Sequence, residues 1–170
     1  MRPIKQKGLL VTTISLSLII VFGVANSIAQ EKLKMKDKRY WFTTKVEMMK
    51  VDGTEGHIVQ ITESKGVDVV SGGTAISNAT WDLVKGNGTM QSYATNISPD
   101  GSKNYSKQQG KVVTVLSPQG KPVTTVEGTF TIINGTGQWE GAQGGGPWKL
   151  KVIGEGISVM DWEGEYTLKK

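Results

Sequence analysis

The stretch TTVEGTFTIINGTGQWEGAQGGG, residues 124–146, decides the fold. Its first ten residues alternate. Val126, Phe130 and Ile132 share one face of an extended chain and Glu127, Thr129 and Thr131 the other, the period of a half-buried strand. Residues 135–146 then hold six glycines in twelve positions. Glycine admits backbone angles and close approaches that a Cβ forbids, so the run reads as a corner followed by a crowded strand crossing. Gly135, Gly137, Gly141 and Gly144 are assigned to that backbone geometry, with Trp139 and Trp148 as flanking packing anchors. A phosphate cradle is the competing reading. It fails because no Gly-Lys-Ser/Thr follows, the spacing of Gly135, Gly137 and Gly141 misses the dinucleotide fingerprint, and no helical stripe comes after it.

The same alternation recurs on both sides of this stretch. Tyr40, Phe42, Thr44, Val46 and Met48 fall on one face, with Trp41, Thr43, Lys45 and Glu47 on the other. Strands are expected over 57–63, 66–70, 75–84, 88–97 and 104–116, separated by Asp52-Gly53, Ser98-Pro99-Asp100-Gly101 and Ser117-Pro118-Gln119-Gly120. At the C-terminal end, Trp148, Leu150 and Val152 alternate with Lys149 and Lys151, and Trp162 and Tyr166 with Asp161, Glu163 and Glu165. Seven to nine short strands without a helical stripe predict an all-β domain, a closed antiparallel barrel or a sandwich. Closure is favoured because little chain is left over to cover open edges.

The first thirty residues have a different character. Arg2, Lys5 and Lys7 precede an apolar stretch over 9–24 that ends in Ser27-Ile28-Ala29, the three-part pattern of a secretory signal peptide. The stretch is diluted by Thr12, Thr13, Ser15 and Ser17 and is shorter than the ~20 apolar residues of a spanning helix. The expectation is therefore cleavage near Ala29 and a secreted or periplasmic product that meets a membrane only through the uncleaved segment. Residues 30–39, rich in Lys, read as a charged flexible leader, and 40–170 as the β domain. There is no cysteine, so the domain must rest on its apolar core without disulfides.

Charge narrows the partners. Without residues 1–29, Lys and Arg fall from 20 to 17 against 15 Asp and Glu, and the net charge falls from +5 to +2. The basic balance is then largely a property of the export signal, and no nucleic-acid partner is expected. His57 is the only histidine, which leaves no basis for a zinc site; as a lone base beside Glu55 or Glu63 it is weaker than as a hydrogen-bonded structural residue. No Gly-x-Ser-x-Gly elbow is present, so no catalytic residue is assigned. Asp161, Glu163 and Glu165 share one strand face and could bind a hard cation, but Lys149 and Lys151 alternate to match them, and an outward ion-paired face is the better reading.

The aromatic residues Trp81, Tyr93, Tyr105, Trp139 and Trp148 are the candidate ligand-binding set, able to stack on a flat or sugar-like molecule at a barrel mouth. Core filling is their more ordinary role. Five asparagines, Asn78, Asn87, Asn96, Asn104 and Asn134, each begin an Asn-x-Ser/Thr triplet, the acceptor pattern for N-glycosylation, although the same residue types are what β turns demand.

Residues 128–152 resemble the late barrel strands of the allene oxide cyclase and dirigent superfamily, including its exported bacterial relatives. The matching elements are Phe130-Thr131-Ile132, Gly135-Thr136-Gly137, Glu140-Gly141-Ala142 with Gly144, and the later Gly164-Glu165-Tyr166. The resemblance covers roughly the last quarter of the chain. It implies an eight-stranded barrel whose interior can hold a small apolar molecule, with neither metal nor organic cofactor. Plant members cyclise an unstable epoxide or steer the coupling of phenolic radicals; their polar site residues find no matching positions here. The leading expectation is a non-catalytic small-molecule-binding or structural module. A cofactor-free isomerase or cyclase and an extracytoplasmic interaction module are the alternatives.

Overall fold

The computed structural model describes residues 31–168, so the expected signal peptide lies outside the described residues. Eight strands follow one another: β1 (Leu33–Lys50), β2 (His57–Asp68), β3 (Thr74–Val84), β4 (Asn87–Ile97), β5 (Lys103–Leu116), β6 (Pro122–Gly135), β7 (Ala142–Gly154) and β8 (Ile157–Leu168). Each pairs antiparallel with the next, and β1 closes on β8 to complete the barrel. Barrel and sandwich were both compatible with the alternation; the β1–β8 ladder decides for the barrel.

β1 is the longest strand because it serves two neighbours in sequence. Its residues from Leu33 to Phe42 pair with β8, while those from Arg39 to Lys50 pair with β2. That offset is the stagger a tilted barrel needs in order to close. The expected leader over 30–39 is therefore corrected: from Leu33 onward it is strand. Lys34, Lys36 and Lys38 point outward, whereas Asp37 and Arg39 are buried in phase with Trp41. The expected strand over 66–70 is corrected too, since residues 66–68 finish β2 and 69–73 turn the chain.

The turns follow their sequences. Lys85 and Gly86 both take positive φ, at 50° and 78°, as a two-residue hairpin of the primed type requires. In the Ser98 and Ser117 turns, Gly101 and Gly120 donate their N–H groups back to Ser98 and Ser117 at 2.9 and 2.8 Å. In the glycine run, a 3-10 turn, Gly137–Trp139, makes the corner, and Gly141 takes φ +69° before β7 begins.

The apolar core fills the barrel end that carries the β1–β2, β3–β4, β5–β6 and β7–β8 turns. Trp41, Leu83, Met90, Val112, Val126, Trp148, Leu150 and Met160 are buried there. Trp148, 2% exposed, lies across β5 and β6 at positions that must be small. A Cβ on either Gly110 or Gly128 would stand 2.7 Å from its indole ring. Large ring against glycine is how a small barrel reaches interior packing density.

Candidate functional site

Toward the opposite end, where the β2–β3, β4–β5 and β6–β7 turns lie, the inward positions change from apolar to polar and the packing opens. A cavity of about 360 Å³ remains. Its apolar wall includes Met35, Phe130, Ile132, Met160 and Trp162, and Trp139 stands over it from the β6–β7 corner. Phe130 and Trp162 meet edge to face with centroids 5.8 Å apart. Trp139 is held by its indole N–H, which donates to Ser98 Oγ at 2.9 Å, and by Tyr166 at 4.8 Å.

The polar wall is built on Arg39, only 3% exposed. An arginine so buried must be paired. Asp68, its register partner on β2, accepts from Nε and Nη2, both at 2.7 Å, in a bidentate fork. Arg39 Nη1 donates to Asn96 Oδ1 at 2.6 Å. Asn96 in turn donates to Asn104 Oδ1 at 2.7 Å and to Ser106 Oγ at 3.1 Å. The guanidinium also stacks between two indoles, 5.0 Å from Trp41 and 5.9 Å from Trp162. Three of its five N–H groups are used in these bonds, which leaves two without a bond in a residue that lines the cavity.

Asp37 is the second buried carboxylate of this wall. Burial pushes its pKa up, but the backbone N–H groups of Val70, Ser71 and Lys38, at 2.9, 2.9 and 2.7 Å, outweigh that and hold it below the ordinary value. Asp37 thereby fastens the β2–β3 turn to β1 at the cavity rim. The buried part of the wall carries one arginine charge matched by Asp68 and one carboxylate matched by backbone dipoles, and the exposed Lys34 and Lys36 also line the cavity.

The five aromatics of the candidate set do not come together. Trp139 lines the cavity. Trp148 belongs to the core, as does Trp81, whose N–H donates to Thr62 Oγ1 at 3.0 Å. Tyr93 and Tyr105 lie on the outer wall, in a groove with Ile76, Asn78 and Asn134. His57 bonds Asp82 at 2.6 Å at the far end of the barrel, not Glu55 or Glu63. Asp161, Glu163 and Glu165 do face outward, but their ion-pair partners are Lys38, Lys36 and Lys32 of β1 and the residue before it; Lys149 pairs instead with Glu127.

Sequence reasoning missed Asp37, Arg39, Asp68, Asn96 and Asn104 as residues of this wall. The available signal was phase: Asp37 and Arg39 alternate in step with Trp41, as inward strand residues do. Asn96 and Asn104 also explain two of the Asn-x-Ser/Thr triplets as interior hydrogen-bonding residues, whereas Asn78, Asn87 and Asn134 are exposed.

No family model matches the chain, and no curated protein sequence matches it. Among solved structures it is similar to the pterocarpan synthase dirigent protein GePTS1. The TM-score is 0.46 and the identity 14%, over 86% of this chain and 94% of that one.

Proposed function

We propose that the barrel is an exported binding protein, outlying kin of the allene oxide cyclase and dirigent superfamily, whose cavity takes a small, flat, largely apolar molecule bearing one acceptor oxygen. The observation that carries this is the pairing of an aromatic and aliphatic wall with a single buried arginine that keeps two unused N–H donors. The apolar wall supplies affinity and the guanidinium supplies orientation, the usual division of labour in a small-molecule pocket. Because Asp68 already matches the arginine charge, a carbonyl, ether or phenol oxygen fits better than a carboxylate.

Binding without turnover is favoured by the state of the carboxylates. Both Asp68 oxygens accept from Arg39, and Asp37 is tied to three backbone N–H groups, so neither stands as a free base. A second reading rests on the same arginine: its free N–H groups could stabilise negative charge developing on a substrate oxygen, as a cofactor-free isomerase requires. Product analysis after incubation with a bound ligand separates the two.

The test is titration of the mature protein with phenolics, sterols and fatty acids, read by the fluorescence of Trp139 and Trp162. Phenolic or ketone ligands should bind. The double replacement of Arg39→Met with Asp68→Leu should weaken them about tenfold or more while sparing an analogue that lacks the oxygen. Silence across the panel, or equal binding by the double variant, overturns the proposal.

A further inference from the structure

The two sides of the outer wall differ in how their charges are matched. On the β8–β1 side, Lys32, Lys36 and Lys38 face Glu165, Glu163 and Asp161 as ion pairs. On the opposite side, β4 and β5 contain no Asp or Glu at all, yet Lys103, Lys107 and Lys111 project outward from β5. Among the described residues, none of these three lysines forms an ion pair. Glu127, the register partner of Lys111, lies 2.9 Å from Lys149, Asp82 lies 2.6 Å from His57, and Asp100 of the β4–β5 turn accepts from Ser102.

Tyrosines alternate with these lysines. Lys107 is the register partner of Tyr93 on β4, and Thr95 that of Tyr105. Tyr93 is 58% exposed, a high value for an aromatic ring lying on a sheet. It opens a shallow groove of about 470 Å³ lined by Ile76, Asn78, Tyr93, Thr95, Tyr105 and Asn134. Asn78 pairs in register with Tyr93 and Asn134 with Tyr105, so each ring has an amide beside it.

We infer that this outer face of β3 to β6 binds a uronic-acid polysaccharide, at a site separate from the cavity. Exposed aromatic rings stack on the apolar faces of sugar rings, amides both donate to and accept from hydroxyl groups, and unmatched ammonium groups pair with carboxylates spaced along a chain. The lysines recur every fourth residue, about 13 Å apart at strand rise. The amides add hydroxyl recognition, which a phosphate backbone does not use.

The experiment measures binding of short oligogalacturonate, its methyl-esterified uncharged form, and oligothymidylate to the full mature protein by calorimetry. Oligogalacturonate should bind, more weakly as salt is raised, and the esterified form should bind about tenfold less well. Tyr93→Ala should lose about tenfold and Tyr93→Phe little, Lys107→Gln should weaken binding several-fold, and Lys38→Gln on the matched β8–β1 wall should leave it unchanged. Tyr93 and Lys107 are exposed, so their variants should keep the parent's melting curve and cavity-ligand titration. That second readout keeps failure here distinct from failure of the cavity proposal. Absent oligogalacturonate binding, parent-like binding by Tyr93→Ala and Lys107→Gln, or tighter binding of oligothymidylate would each overturn the inference.

Discussion

Replacing Asp68 with Ala tests the energetic account of the cavity wall most directly. Arg39 is 3% exposed, and Asp68 holds two of its N–H groups at 2.7 Å. Without Asp68 the guanidinium keeps the neutral Asn96 carbonyl and two indole faces, but no hydrogen-bonded counter-charge. Removing one partner of a buried pair costs about 3–5 kcal/mol, because the remaining charge stays desolvated. The adjoining cavity admits water, which places the expected cost at the lower end. At roughly 4 °C per kcal/mol for a domain of this size, the melting temperature should fall by ~12 °C or more. The companion Arg39→Met with Asp68→Leu removes both charges at similar volume and should return to within ~1 kcal/mol of the parent. Thermal and urea unfolding followed by circular dichroism measure both. If Asp68→Ala loses less than about 1 kcal/mol, or the double variant is no better than the single, the buried-pair reasoning is refuted.

Two further outcomes follow from the same geometry. Asp37 is held below its ordinary pKa of 3.8 by backbone N–H groups, so its stabilising effect is complete above about pH 5 and is lost as pH falls through the folded-state value. Asp37→Asn should therefore cost ~1–3 kcal/mol at neutral pH, since the amide NH₂ cannot accept from the backbone. The gap to the parent should shrink in acid, and urea midpoints at neutral and acid pH would show whether it does. Gly110→Ala places a methyl carbon 2.7 Å from the Trp148 ring and 2.8 Å from the Val126 side chain and should destabilise by ~1–3 kcal/mol with altered tryptophan emission; unchanged stability would mean that Trp148 is not locked there.

Strand positions and most turns were legible because each depends on neighbours in the chain. The alternation of Trp148, Leu150, Trp162 and Tyr166 and the turns at Ser98 and Ser117 stand where their sequences place them. The leader was misread for an equally local reason: EKLKMKDKR has almost no apolar residue to mark an inner face. Its inward positions are Leu33 and Met35 and then the charged Asp37 and Arg39, whose partners Asp68, Val70 and Ser71 lie some thirty residues away. A charged residue signals the interior only when its distant partner is known.

The grouping of the aromatics failed in a similar way. Tyr93 and Trp139 are both large aromatic residues with a polar tip, yet one points outward from β4 and the other caps the cavity from a corner. Parity along each strand separates inside from outside. Height along the barrel axis, which depends on stagger, separates core from cavity.

Local sequence, through period two and turn residues, was enough to establish an all-β chain with tight hairpins and a glycine corner before β7. Closure of β1 on β8, the burial of Arg39 against Asp68, and the division of the interior into a packed end and an open polar end arise only when strands far apart in sequence are brought into register. Alternation says that a residue faces inward, but the offset between strands sets which inward residues meet.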